Sequence, residues 1–238
     1  MTDFRYHSFA ETARRGPSMP VRVTGSAALR RRQRLARLIS SSLARVEVRG
    51  LDWLPADGGA ILAVNHTTFL DGPLIFGLLS RPVSFLVKAE AFQPVRGLAG
   101  AVLRDAAQLP VRRHQLDPGP VRYGLRLLEQ GGLLGMFPEG TRGKGLVTQV
   151  RPGVGYLALR AGVPVLPVAV VGAERMLRQP ARTPVLLQFG QPLHFGRVAV
   201  PLARRHWLDA AEQVRLALAA QVQDALSRAA GAAARMDA

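Results

Sequence analysis

His66 and Asp71 stand five residues apart in the run Ala63-Val-Asn-His-Thr-Thr-Phe-Leu-Asp-Gly72, and a second polar turn, Phe137-Pro-Glu-Gly-Thr-Arg-Gly143, follows later in the chain. Each interrupts an apolar stretch where a buried strand should end. An imidazole beside a carboxylate has the makings of a general base. The carboxylate fixes the ring tautomer and favours the imidazolium, leaving the other nitrogen to take a proton. A base so positioned contributes about 10²–10⁴ in rate. Residues five apart on one continuous helix point about 140° away from each other, so the pair cannot meet along a single helix. A turn at His66 followed by a helix opening near Gly72-Pro73 would fold Asp71 back towards the ring, since Pro73 suits a first helical turn and Asp71 a position near its start. Taken alone, the pair reads by default as a turn residue and a helix cap.

The second motif shifts that balance. Gly140 and Gly143 allow close backbone approach, and Arg142 offers a planar fork for phosphate oxygens. Glu139 is expected to accept a hydrogen bond from a substrate hydroxyl or to orient Arg142; the bland alternative is a salt-bridged turn. Arg112 and Arg113 follow another apolar run and are either further phosphate donors or a solvated pair. The chemistry these groups share is proton abstraction from a hydroxyl on a phosphate-bearing molecule.

The elements that must position them alternate. Strands are expected at 46–49, 60–64, 83–87, 107–111, 133–137, 165–171 and 184–189, and helices at about 73–79, 97–104, 120–130, 154–161 and 208–229. The last of these opens with Asp209 and Glu212 at capping-box spacing. Val/Leu/Ile-rich strands alternating with helices predict an α/β fold, a largely parallel sheet covered by helices on both faces. Ligands of such sheets bind beyond the carboxyl ends of the strands. Asn65-His66, Arg112-Arg113 and Glu139–Arg142 all fall there.

The chain of 238 residues carries a formal charge of +16, has no cysteine and has a mean hydropathy of +0.10. Without cysteine there is no disulfide, no thiolate nucleophile and no Cys-ligated zinc. No window reaches the roughly 18 apolar residues of a membrane span, and the charged N-terminus does not read as a signal peptide. Half of the excess charge lies in residues 1–50, where eleven arginines face Asp3, Glu11 and Glu47. Residues 1–26 lack periodicity and read as a flexible basic segment. From 27 to 46 a basic amphipathic helix is expected, with Leu35, Leu38, Ile39, Ser42, Leu43 and Val46 on one face and arginines around it. Such a helix docks on an anionic membrane surface or packs its stripe on the core. Residues 47–230 form the main domain, and the Ala-rich end, 231–238, reads as a disordered tail.

Together these blocks resemble the lysophosphatidic acid acyltransferase family (1-acylglycerol-3-phosphate O-acyltransferases and relatives). Asn65-His-Thr-Thr-Phe-Leu-Asp71 is similar to its His-x4-Asp block and Phe137-Pro-Glu-Gly-Thr-Arg142 to its Glu-Gly-Thr-Arg block. Val163-Pro-Val-Leu-Pro167 resembles a later block, and Ala107–Arg113 its Gly-to-Arg block, with Ala107 where the family has Gly. The resemblance spans roughly residues 45–195 and implies a glycerolipid-acyltransferase-like α/β fold. It implies that His66, oriented by Asp71, deprotonates a lysophospholipid hydroxyl, which attacks the thioester of acyl-CoA or acyl carrier protein. Arg113, Glu139, Gly140, Thr141, Arg142 and Pro167 would form the acceptor site. No metal, cofactor or covalent acyl-enzyme is required. The expected product is phosphatidic acid, made at the cytoplasmic face of a membrane by a peripheral enzyme. The same blocks serve relatives acting on ornithine lipids, glycolipids and other lysophospholipids. A non-enzymatic basic protein binding membranes or nucleic acid is the outside reading. It leaves His66, Asp71 and Glu139 unexplained, and no specific nucleic-acid motif is present.

Overall fold

The computed structural model describes residues 27–88, 109–111, 119–143, 145–176, 178, 183–198 and 202–236. The expected helix at 97–104 lies outside them, as do Arg112, Arg113, Lys144 and the segment 1–26. Among the described residues seven strands form one sheet: β1 (Ala44–Arg49), β2 (Ala60–Val64), β3 (Val83–Lys88), β4 (Leu109–Val111), β5 (Leu133–Met136), β6 (Val165–Val171) and β7 (Thr183–Phe189), in the order β1-β7-β6-β2-β5-β3-β4. All neighbours are parallel except the β6–β7 pair. β2, β3, β4, β5 and β6 therefore end at one edge of the sheet, as the sequence predicts.

Among the described residues five α-helices flank the sheet: α1 (Ala27–Leu43), α2 (Asp71–Leu78), α3 (Gly119–Glu129), α4 (Gly153–Ala161) and α5 (Arg204–Met236). Side-chain alternation along β2 shows the layering. Ala60, Leu62 and Val64 join a core with α2 residues Leu74, Ile75 and Phe76. Ile61 and Ala63 join the opposite core with Tyr123, Leu127, Leu157 and Val214 from α3, α4 and α5. β2, β5 and β6 are buried along their whole length, which is why they read in sequence as unbroken apolar runs rather than alternating ones.

Three expectations are corrected. The basic helix stops at Leu43, because Ala44 to Arg49 pair in register with Thr183 to Gln188. Of the two placements open to its apolar stripe, packing on the core is not the one that Leu35 and Leu38 take. Leu35 and Leu38 are 58% and 69% exposed, whereas Gln33, Ser40 and the partly buried Ala36 face the protein. This contact is close: a Cβ on Gly77 would stand 2.7 Å from the Arg37 amide nitrogen and 2.9 Å from the Ala36 carbonyl carbon. The Gln33 amide donates to the carbonyls of Phe76 and Leu79 at the end of α2, groups a helix terminus leaves unpaired. A small, polar face is what such an approach accepts, so Leu35 and Leu38 turn outwards.

The C-terminal helix is longer than expected at both ends. It begins at Arg204, before the Asp209 cap, since Trp207 packs edge-on against Tyr156 and a Cβ on Gly155 would lie 2.7 Å from the Ala211 nitrogen. Tertiary contact carries the helix past the local stop signal, and Glu212 bonds Arg215 instead of a cap amide. At the other end the segment read as a disordered tail is helical to Met236, as its alanine content favours.

Candidate active site

Asn65, the first residue beyond β2, anchors the site. It is fully buried, its side-chain oxygen accepts from the Val170 amide at 2.7 Å, and its amide donates to the Val170 carbonyl at 3.0 Å. The side chain thus continues the β2–β6 ladder where the β2 main chain has left it. His66 is thereby delivered at a fixed point of the sheet edge.

The His66 peptide is then held from both sides. Its amide donates to Glu139 Oε1 at 2.9 Å, and its carbonyl accepts from the Gly143 amide at 2.8 Å. The Glu-Gly-Thr-Arg turn after β5 is therefore bolted to the residue that carries the imidazole. Burial pushes the Glu139 carboxyl above its ordinary range; the hydrogen bond from His66 opposes this, and the nearby Asp71 charge adds to it. Glu139 has a structural role that the sequence did not indicate. It braces the His66 backbone, and it forms no ion pair with Arg142 among the described residues. A Cβ on Gly143 would lie 2.8 Å from Glu139 Oε2, so a side chain there would displace that carboxylate.

Asp71 is the first residue of α2, and its carboxylate is wholly buried. Its Oδ2 atom lies 2.9 Å from His66 Nδ1 and accepts the amides of Thr67 and Thr68, each also at 2.9 Å. The turn between the two residues is therefore folded around one carboxylate oxygen. Since that oxygen is an acceptor, the proton of the neutral imidazole sits on Nδ1 and Nε2 carries the free lone pair. The His66 side chain remains 16% exposed.

Phe137 completes the setting. Its ring stacks on the imidazole with centroids 4.0 Å apart, and Phe85 stacks on Phe137 at 5.1 Å. Gly135 makes room for this column, as a Cβ there would stand 2.5 Å from Phe85 Cδ1. The ring plane of His66 is thus set by stacking and its azimuth by Asp71. Phe85 and Phe137 read in sequence only as strand residues; their alignment with His66 needs β2, β5 and β3 side by side.

Gly140 is buried with φ 74°, a left-handed conformation that favours glycine, whereas Thr141 and Arg142 next to it are exposed. Pro167 is not at this edge. It is buried within β6, paired with Ala63, and its ring lies against Gly190. Arg113 falls outside the described residues. Arg151, which no motif singled out, covers the Gly140 turn.

The family model described as Acyltransferase matches residues 45–171, the stretch from Arg45 in β1 to the end of β6 that holds Asn65, His66, Asp71, Phe137 and Glu139. The 1-acyl-sn-glycerol-3-phosphate acyltransferase of Bacillus subtilis is 30% identical over 159 residues, covering 66% of this chain and 78% of that protein. A chloroplast 1-acyl-sn-glycerol-3-phosphate acyltransferase of Arabidopsis thaliana is 30% identical over 139 residues, which span 56% of this chain and only 38% of the plant protein. Among solved structures, the 1-acyl-sn-glycerophosphate acyltransferase of Thermotoga maritima superposes with a TM-score of 0.58 over 90% of this chain and 88% of that one. At 22% identity the likeness is one of fold. The chain belongs to the acyltransferase family.

Proposed function

We propose that the protein transfers a fatty acyl group from acyl-CoA or acyl carrier protein to the free hydroxyl of lysophosphatidic acid, giving phosphatidic acid. The observation that carries the reading is the buried Asp71 oxygen on His66 Nδ1, which leaves Nε2 as the base. In the proposed reaction Nε2 takes the hydroxyl proton as the oxygen attacks the thioester carbon. The charge of Asp71 favours the resulting imidazolium. The tetrahedral intermediate then collapses, the C–S bond breaks, and the thiolate recovers the proton from His66. The balance needs no metal and no cofactor. The 1-acyl-sn-glycerol-3-phosphate acyltransferases of Bacillus and Arabidopsis, as similar proteins, support this acceptor.

We further propose that the protein works at the cytoplasmic surface of an anionic membrane. Among the described residues no helix is long and apolar enough to cross a bilayer. Support for surface docking comes from α1, where Leu35 and Leu38 point away from the protein between exposed Arg30, Arg31, Arg34 and Arg37. Apolar groups set among cations suit a lipid interface.

The decisive experiment follows labelled acyl transfer, from acyl-CoA and separately from acyl carrier protein, to lysophosphatidic acid in anionic vesicles. Wild type should form phosphatidic acid, and His66→Ala should lose at least about two orders of magnitude. No product from either donor would exclude this acceptor. Undiminished product in His66→Ala would overturn the mechanism. Co-sedimentation of the Leu35→Glu/Leu38→Glu variant with the same vesicles tests docking: retained binding would refute it.

A further inference from the structure

The turn that braces His66 is covered by a side chain that the motifs do not include. Arg151 is tied to the turn through its amide, which donates to the Pro138 carbonyl at 2.7 Å. Its side chain lies over Gly140, occupying the space a Cβ would need: Cδ is 2.7 Å from that point, and Nε is closer still. Gly140 therefore permits not only the positive φ but also the passage of a guanidinium across the backbone. Arg142 leaves the same turn two residues later. Both arginines are exposed, and neither has a carboxylate partner among the described residues. The amides of Thr141 and Arg142 likewise donate to no described group. Donors of one sign thus gather at this turn, beside the residue that holds the base.

We propose that Arg151 is a second phosphate ligand, facing Arg142 across the Gly140 turn, and that the two guanidiniums select a phosphomonoester acceptor over a zwitterionic one. Two planar forks match a terminal phosphate, which offers three oxygens and close to two negative charges. A phosphodiester headgroup carrying its own cation offers one charge and brings a like charge towards the pair. The inference rests on the acyl-transfer reading for what bears the phosphate. It extends that reading by naming the headgroup class and the residue that recognises it.

The test compares wild type with Arg151→Ala, Arg151→Lys and a remote control, Arg235→Ala, which removes one exposed charge from the end of α5. Acyl transfer is measured to lysophosphatidic acid and to lysophosphatidylcholine in the same vesicles, and binding of sn-glycerol 3-phosphate by titration calorimetry without donor. Loss of one charge-assisted contact predicts an increase of about ten- to a hundredfold in KM for lysophosphatidic acid. The Kd for glycerol 3-phosphate should rise in parallel, with kcat little changed. Arg151→Lys should recover part of the loss. Transfer to lysophosphatidylcholine, where measurable, should be unaffected. Equal weakening for both acceptors, a pure kcat effect, or behaviour matching Arg235→Ala would overturn the proposal. Absence of acyl transfer in wild type would refute the proposed function alone, because the calorimetric comparison still reads Arg151.

Discussion

Replacing Asp71 separates what its carboxylate does for the fold from what its charge does for the imidazole. One oxygen, Oδ2, receives His66 Nδ1–H and the amides of Thr67 and Thr68. In Asp71→Asn the amide oxygen can take that position and keep all three bonds in neutral form, with the NH2 group where Oδ1 now lies buried without a partner. The fold should lose only about 1 kcal/mol. The charge, however, is gone. At the observed 2.9 Å and an effective dielectric of about 20, a full imidazolium charge on Nδ1 would interact with the carboxylate by about 6 kcal/mol. With the charges shared between the two ring nitrogens and the two carboxylate oxygens this falls to about 4 kcal/mol, or roughly three orders of magnitude in kcat. Asp71→Ala strands the two amides as well, at about 1–3 kcal/mol each, so it should be less stable than Asp71→Asn by about 2–6 kcal/mol. The assay is kcat for acyl transfer at saturating donor and acceptor, alongside urea denaturation. An Asp71→Asn rate within threefold of wild type would show that the carboxylate charge is not used. Equal stability of the two variants would refute the three-bond account of the turn.

Other perturbations test the supports of the site. Asn65→Leu removes both bonds to Val170 in a fully buried position and should cost about 2–4 kcal/mol in urea unfolding; an unchanged midpoint would contradict the bridging role. Gly77→Ala places a methyl within 2.7 Å of the Arg37 nitrogen, so α1 must move away from α2, at about 1–3 kcal/mol. Faster proteolytic cleavage between Leu43 and Ala60 reports the release, and unaltered cleavage would count against the close crossing. Glu139→Gln keeps an oxygen for the His66 amide but cannot titrate. Because the Glu139 carboxyl is raised in the native state, the native protein binds that proton more tightly than the unfolded chain. Its contribution to stability therefore falls as pH rises from the ordinary Glu range through the raised value, then levels off. The melting temperature of wild type minus that of Glu139→Gln should decline across that window, and a rise would reverse the assignment.

Much of the fold was legible because burial on both faces leaves a distinctive record. β2 and β6 fall at the residues expected, 60–64 and 165–171, where continuous apolar runs admit few other readings. Helix α1 was legible as a helix but not in its orientation. A periodic stripe reveals which face is apolar; it does not reveal that the opposite, smaller face fits against Gly77. The start of α5 was missed for a related reason. Asp209 is a good local cap, and contacts of Trp207 and Ala211 with α4 outweigh it.

The site divides along the same line. His66 and Asp71 are close in sequence, so turn and helix chemistry sufficed to bring them within reach of each other. Asn65 with Val170, Glu139 with His66, and Phe85 with Phe137 join residues from different strands. Those pairings exist only once β2 lies between β5 and β6 and β3 lies beside β5, and no local rule supplies that order. Arg151 was lost among thirty arginines of the same composition, and only its position over Gly140 distinguishes it. The sequence by itself determined the reactive groups and the strand ends that bear them, because residue type and hydrophobic period act locally. The partners of those groups were decided by tertiary structure, since a hydrogen bond or a stacked ring depends on distance in space rather than separation along the chain.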